Sequence, residues 1–216
     1  MLKRVFLNNR KIPVPIPVKT LADALQFVEK TLVPEGHTVT RVVLDGRTLS
    51  DELIHECRAT ALGDETRLEV QVDSPSDLAV QTLDALRNLA LVIGSGLKAL
   101  AVECWQAKGA TRPAELAAVA SDLKLILDLI DHLSGLVDAS HIDAAAIQGL
   151  SGMVQRVHGS LDLARGNSDW RGSARILLNR LEPLLKDLVA EAESLQIRIM
   201  TAPTATRSPS ARAPTG

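Results

Sequence analysis

The stretch TRVVLDGRTLSDEL, residues 40–53, determines how the first third of the chain folds. The β-branched run around Val42 and Val43 reads as a strand, and it stops at Asp45-Gly46, a strong turn signal. Past that turn, neither a long strand nor a long helix is rebuilt. Residues 47–63 are therefore expected to be irregular, with at most one short helical turn.

On the downstream side, TRLEVQVD (66–73) alternates cleanly, with Leu68, Val70 and Val72 on one side and Arg67, Glu69 and Gln71 on the other. It reads as a half-buried strand closed by Ser74-Pro75. Upstream, residues 2–8 form a first strand that turns at Asn8-Asn9. In KIPVPIPVK (11–19), Ile12, Val14, Ile16 and Val18 share one face of a second strand. Pro13, Pro15 and Pro17 cannot donate to a ladder, so that strand belongs at a sheet edge. Thr20 with Asp23 three residues on has capping-box spacing. Leu21, Leu25, Val28 and Leu32 then fall at helical spacing until Pro34 and Gly36 stop the helix.

The expected order is strand, strand, helix, strand, irregular segment, strand. With that order in place, VVLDGRTLSDEL (42–53) resembles the part of ubiquitin-like proteins where a strand ends in a Gly turn and a Leu-Ser/Asp segment comes next. The resemblance spans residues 1–73 and implies a β-grasp fold and a docking role. It departs from ubiquitin after Asp73, where Ser-Pro-Ser-Asp leads into a helix in place of a free Gly-Gly end. Conjugation and sulfur-carrier chemistry, which use that end, are not expected.

Residues 77–200 read as four helices, A to D. Helix A (77–107) carries the line Leu78, Thr82, Leu86, Leu89, Ile93, Leu97, Leu100 and Cys104. Helix B (113–138) starts at Pro113, helix C (141–165) ends at Arg165-Gly166-Asn167, and helix D (169–200) is capped by Ser168 or Asp169. Short links imply an antiparallel four-helix bundle. Pro183 inside helix D is expected to bend it near residues 179–183. Gly94-Ser95-Gly96 in helix A is expected to let another helix come close. The fold class is thus α+β: a β-grasp domain over 1–75, a four-helix bundle over 76–200, and a disordered Pro/Ala/Thr/Ser tail over 201–216.

Composition narrows the function. Aromatic residues are 2 % of the 216, with no Tyr, which disfavours a base-stacking surface. Residues 1–75 carry 10 basic and 11 acidic side chains, and residues 76–200 carry 12 and 15, so no basic stripe points to nucleic acid. The longest apolar run, 89–102, reads as too short for a membrane span and holds Lys98. Two lone cysteines, Cys57 and Cys104, suit a reducing cytoplasm.

Candidate chemistry is sparse. The five histidines do not pair at metal-site spacings, and His55-Glu56-Cys57 has no further ligand nearby in sequence. Asp128 to His132 on helix B comes near a carboxylate-histidine motif but lacks a counterpart on another helix, so Glu115, Asp122, Asp128, Asp131 and Asp138 read as a solvated face. His158, with Gly159 and Ser160 next to it on a bundle helix, resembles a histidine-phosphotransfer site, without the Lys that family places after the His. That alternative implies phosphoryl transfer through His158. No cofactor or metal is expected.

Helices A and B are apolar beyond one line. Leu83, Leu91, Val92 and Ala99 lie off it in A, and Leu125, Leu129 and Leu136 in B. A helix apolar most of the way round is buried most of the way round. Trp170 is either a cap on the bundle end or a partner anchor. The expectation is a non-enzymatic adaptor or scaffold that binds a protein partner and forms a homodimer, with Leu83, Leu91, Leu125, Leu129, Leu136 and Trp170 at its contacts. An apolar small molecule held between helices A and D is the third reading.

Overall fold

The computed structural model describes residues 1–107, 113–140 and 143–201. Residues 202–216 of the expected tail, residues 108–111 of the break expected at 107–111, and the expected start of helix C at His141 lie outside them. The chain divides into two compact units, the first being Met1–Leu78 and the second beginning at Ala79.

The first unit is a mixed five-stranded sheet with two helices. Strands β1 (Leu2–Leu7) and β2 (Arg10–Val18) form a hairpin. Both turn residues, Asn8 (φ 47°) and Asn9 (φ 64°), are left-handed, as a two-residue hairpin requires. Helix α1 (Leu21–Phe27) runs into a π turn (Val28–Leu32) that ends ahead of Pro34. Strand β3 (Thr38–Leu44) reaches the turn at Asp45 (φ 48°) and Gly46 (φ 83°), again both left-handed. The chain then pairs back as strand β4 (Arg47–Leu49), antiparallel to β3. Ser50 caps helix α2 (Asp51–Glu56) by accepting the Leu53 N–H. The expectation for 47–63 is corrected by the strand: besides the short helix that it allowed, the segment holds β4, three residues long and too short to show a period.

Strand β5 (Leu68–Asp73) pairs parallel with β1 and antiparallel with β3, giving the order β2-β1-β5-β3-β4. The proline-bearing β2 sits at an edge, where its missing donors cost the ladder nothing. Leu2, Val5, Val18, Leu21, Phe27, Val42, Leu68, Val70 and Val72 form this unit's core.

The second unit is helical: α3 (Pro75–Gln106) from Ala79 on, α4 (Leu116–Ser140), α5 (Ala144–Gly166), α6 (Trp170–Ile176) and α7 (Glu182–Thr201), the last two joined by a π turn (Leu177–Leu181). Side chains from all five share one core. Cross-chain contacts fix the directions. Gln196 donates to the Val80 carbonyl, Leu185 lies opposite Gly94, and Arg175 stacks on Trp105, so α3 runs antiparallel to α6 and α7. Arg180 reaches Ser160, placing α5 beside that π turn.

Pro183 acts where its chemistry predicts. A proline at that position has no N–H for the Asn179 carbonyl and crowds it. The ladder widens by one residue just before it, and the Glu182 N–H bonds to the Leu177 carbonyl. The Val33 N–H does the same to Val28 ahead of Pro34. A proline thus stands directly after each π turn and its cap, and the expected break in helix D is a one-residue bulge.

Two expectations for the helices are corrected. Thr82, Leu86, Ile93, Leu97, Leu100 and Cys104 of the expected α3 line are buried, joined by Ala79, Leu83, Ala90 and Ala101, while Leu78 and Leu89 are only partly buried. An alanine at Gly94 would meet Leu185 at ordinary contact distance, 4.0 Å, and one at Gly96 would meet nothing, so neither glycine is demanded by packing within the chain. Helix α5 ends at Arg165-Gly166-Asn167 as expected, and its left-handed residue is Ser168 (φ 54°), with the Asp169 N–H on the Ala164 carbonyl and the Ser168 N–H on Arg165.

Candidate interaction surfaces

The side chains expected at a protein contact divide sharply. Leu83 is fully buried and Trp170 is 5 % exposed, both in the core of the helical unit. They are corrected from contact residues to core residues. Leu83 lies on the neighbouring line of the same helix face, and Trp170 sits next to the Asp169 cap and turns inward. Leu129 and Leu136 are partly buried against that core. Leu91 and Leu125 are exposed, at 55 % and 49 %.

Leu91 belongs to a larger surface. On the side of α3 away from the core, Asn88, Val92, Ser95, Ala99, Val102 and Gln106 are all exposed or half-exposed, Val92 at 67 % and Val102 at 52 %. Their spacings are four, three, four, three and four. Such a line stays on one side of a helix of about 3.6 residues per turn, over roughly 27 Å. It contains no charge and is smallest in the middle. Trp105, 43 % exposed, extends the apolar surface at the helix end, under Arg175 at 5.9 Å. The expected contact set omits Val102 and Trp105.

By length and composition alone, α3 is apolar enough to cross a membrane, with mean hydropathy 1.4 over an 18-residue window that is only 33 % buried. The expectation that its apolar run is too short is corrected on that count.

An open groove of about 360 Å³ lies between α3 and α7, lined by Ala90, Leu91, Gly94, Leu185 and Val189. Glu182 and Lys186 stand on its α7 wall, 2.9 Å apart. The Lys186 hydrogen bond, with help from its charge and that of Lys98, holds the Glu182 carboxyl below the usual range.

The titratable groups do not gather. His158 has 24 % of its side chain exposed and lies 3.6 Å from the Asp162 carboxylate. That carboxylate, also held by Arg165 at 2.9 Å, sets negative charge beside the ring where a phosphoryl group would arrive. Asp128, Asp131 and His132 lie on the outer side of α4. Cys57 and Cys104 are unpaired thiols, and burial pushes the Cys104 thiol up to about 11. Among the described residues no group of three or more His, Cys, Asp or Glu converges to hold a metal.

Residues 4–74 match the family described as the TP0873 N-terminal domain, a span that covers the five-stranded sheet. Neither the curated proteins nor the solved structures provide a match.

Proposed function

We propose that the chain is a non-enzymatic, cytoplasmic interaction protein that pairs with a second copy of itself through the outer side of α3. In this reading the helical unit is a four-helix bundle with α6 and α7 as one bent helix, and the first unit is a ubiquitin-like β-grasp docking module. The strand order β2-β1-β5-β3-β4, with α1 after the first hairpin, supports the β-grasp assignment. The antiparallel contacts of α3 with α6 and α7 support the bundle.

One observation carries the pairing. The uncharged line on α3 reads nearly the same in both directions. About a two-fold axis at the level of Leu97, Asn88 meets Gln106, Val92 meets Val102, and Ser95 meets Ala99. Two copies crossing antiparallel therefore bring amide to amide, valine to valine and small to small. That is the self-complementarity an isologous interface needs. The small middle lets two backbones approach, and the valines lose water on both sides. A bilayer is the other apolar cover for such a helix. The outer sides of α4 and α7 carry Lys124, Asp128, Asp131, Lys186, Asp187 and Glu193, which would have to enter with it. That favours a protein surface.

Light scattering on the eluting peak tests this. The wild type is expected at about twice the chain mass of 23.2 kDa at tens of micromolar. Ala99→Glu puts a carboxylate at the centre of the line and is expected to give a monomer with unchanged helical circular dichroism. A monomeric wild type removes the reading.

A second reading, an apolar small molecule between α3 and α7, is favoured by the groove at Leu91 and Val189. It requires a ligand that the Ala99→Glu monomer binds as tightly as the wild type does.

A further inference from the structure

The strand pairing of the first unit sorts its charges in a way the composition conceals. Phe6 pairs with Lys11 on one side and Glu69 on the other, and Val43 pairs with Glu69 and Thr48. Paired residues share a face, so Lys11, Phe6, Glu69, Val43 and Thr48 form one row across all five strands. Val5, Val42, Leu68 and Val70, one position away, point to the core. The row therefore lies on the outward face. Arg4 and Arg67 flank it on one side, and Arg41 and Gln71, which pair with each other, on the other.

This face carries Arg4, Lys11, Arg41 and Arg67, all exposed. Against them stand Glu69, Asp45, which accepts the Arg67 backbone N–H at 2.7 Å, and, at the margin, Asp73, which is 8 % exposed and accepts the Thr40 hydroxyl at 2.6 Å. Arg67 is committed to Glu69 at 2.6 Å and lies over the Phe6 ring at 4.8 Å. Arg41 donates to the neutral Thr48 hydroxyl. Among the described residues, Arg4, Lys11 and Arg41 form no ion pair. Five other acids of the unit lie on its helices, Asp23 and Glu29 on α1 and its π turn and Asp51, Glu52 and Glu56 on α2. The outward face thus keeps Arg4, Lys11 and Arg41 as cations outside any ion pair. In its middle is a depression of about 300 Å³ lined by Phe6, Val43, Arg41, Asn8 and Gln71, with the Glu69 and Asp73 carboxylates also on its wall, so the unpaired cations Arg4 and Lys11 stand outside it.

We propose that this outward sheet face docks an acidic protein segment, an aliphatic side chain seated over Phe6 and Val43 and carboxylates on Arg4, Lys11 and Arg41. Charge complementarity selects the partner's sign, and the half-buried apolar centre selects its anchor. A nucleic acid fits less well. The face offers one ring, already covered by Arg67, and its cations are separated, with no continuous basic stripe for a phosphate backbone to follow. The proposal rests on the docking-module reading above and is independent of pairing through α3.

The test is fluorescence anisotropy on the full chain at low salt. Three labelled probes are compared: the peptide Glu-Asp-Leu-Glu-Asp-Ile-Glu-Glu, its amide counterpart Gln-Asn-Leu-Gln-Asn-Ile-Gln-Gln, and an oligothymidylate. The acidic peptide is expected to bind at least about tenfold more tightly than either of the others, and less tightly as salt rises. Arg4→Glu with Arg41→Glu is expected to weaken it at least about tenfold, while Lys30→Glu, on the helix side, leaves it unchanged. Arg4→Gln with Arg41→Gln, which carries no reversed charge, is expected to give a smaller loss in the same direction. Ala99→Glu should bind as the wild type does, which separates this surface from the α3 contact. Equal binding of the amide peptide, absence of binding by the acidic one, tighter binding of the oligothymidylate, or indifference to the Arg4 and Arg41 changes would each overturn the proposal.

Discussion

Ser168 holds the left-handed position that ends α5, with φ 54°. A side chain in that conformation crowds the next carbonyl, a strain glycine does not have. The next residue, Asp169, opens α6 by accepting the Gly172 N–H, so the turn joins the two helices with very few residues. Ser168→Gly is expected to stabilise the protein by about 1 kcal/mol, read as a raised midpoint in thermal or urea denaturation. The helix end itself is legible in Arg165-Gly166-Asn167. The identity of the left-handed residue is not, because Gly166 looks like the natural choice and only the hydrogen bonds from Ser168 and Asp169 show which residue turns. Leu83 and Trp170 escape a sequence reading for a different reason. A helix apolar on two adjacent lines leaves open which line faces inward, and that is set by where α4 to α7 lie. Leu91 and Leu125, farther from either line, are exposed as their offset implies.

Elements with short-range signals can be read directly. The Asp45-Gly46 turn, the edge position of β2 and the cap of α1 each depend on residues within a few positions of one another. At α1 the Thr20 hydroxyl accepts the Asp23 N–H while the Asp23 carboxylate accepts the Thr20 N–H. These bonds to Thr20 hold the Asp23 carboxyl below its ordinary value of 3.8. A depressed acid stabilises the fold above its unfolded pKa and loses that contribution as pH falls through the folded one. Thr20→Ala is expected to cost about 1 kcal/mol at neutral pH. The difference between wild type and variant should shrink in part as pH drops below about 4, because protonation weakens the Thr20 side chain's bond to the Asp23 carboxyl, which the variant lacks, and leaves the hydroxyl's bond from the Asp23 N–H in place. Urea midpoints measured across that range check it, and a constant difference would count against the linkage. Strand β4 eludes a sequence reading because three residues are too few to show a period, and only the pairing of Val42 with Leu49 reveals the strand.

For the protein taken entire, the proposed pairing explains why α3 is apolar on both sides: one is covered by its own chain, the other by a second copy. The excess of apolar residues on this helix is visible in the sequence. Its shape is not, since Val92 and Ala99 stand out as apolar excess and Ser95 as part of a small segment, and only the inward Leu97 and Leu100 show that the three share one outer line. The symmetric line through Asn88, Val92, Ser95, Ala99, Val102 and Gln106 demands antiparallel pairing and predicts which residues touch. Cysteine cross-linking reads out that contact. Val92→Cys and Val102→Cys would be made separately, each with Cys57→Ser, then oxidised alone and as an equimolar mixture and resolved on a non-reducing gel. A cross-linked dimer is expected in the mixture and not in either variant alone. No cross-link in the mixture, or one as strong in each variant alone, as parallel helices would give, would rule out antiparallel pairing through α3.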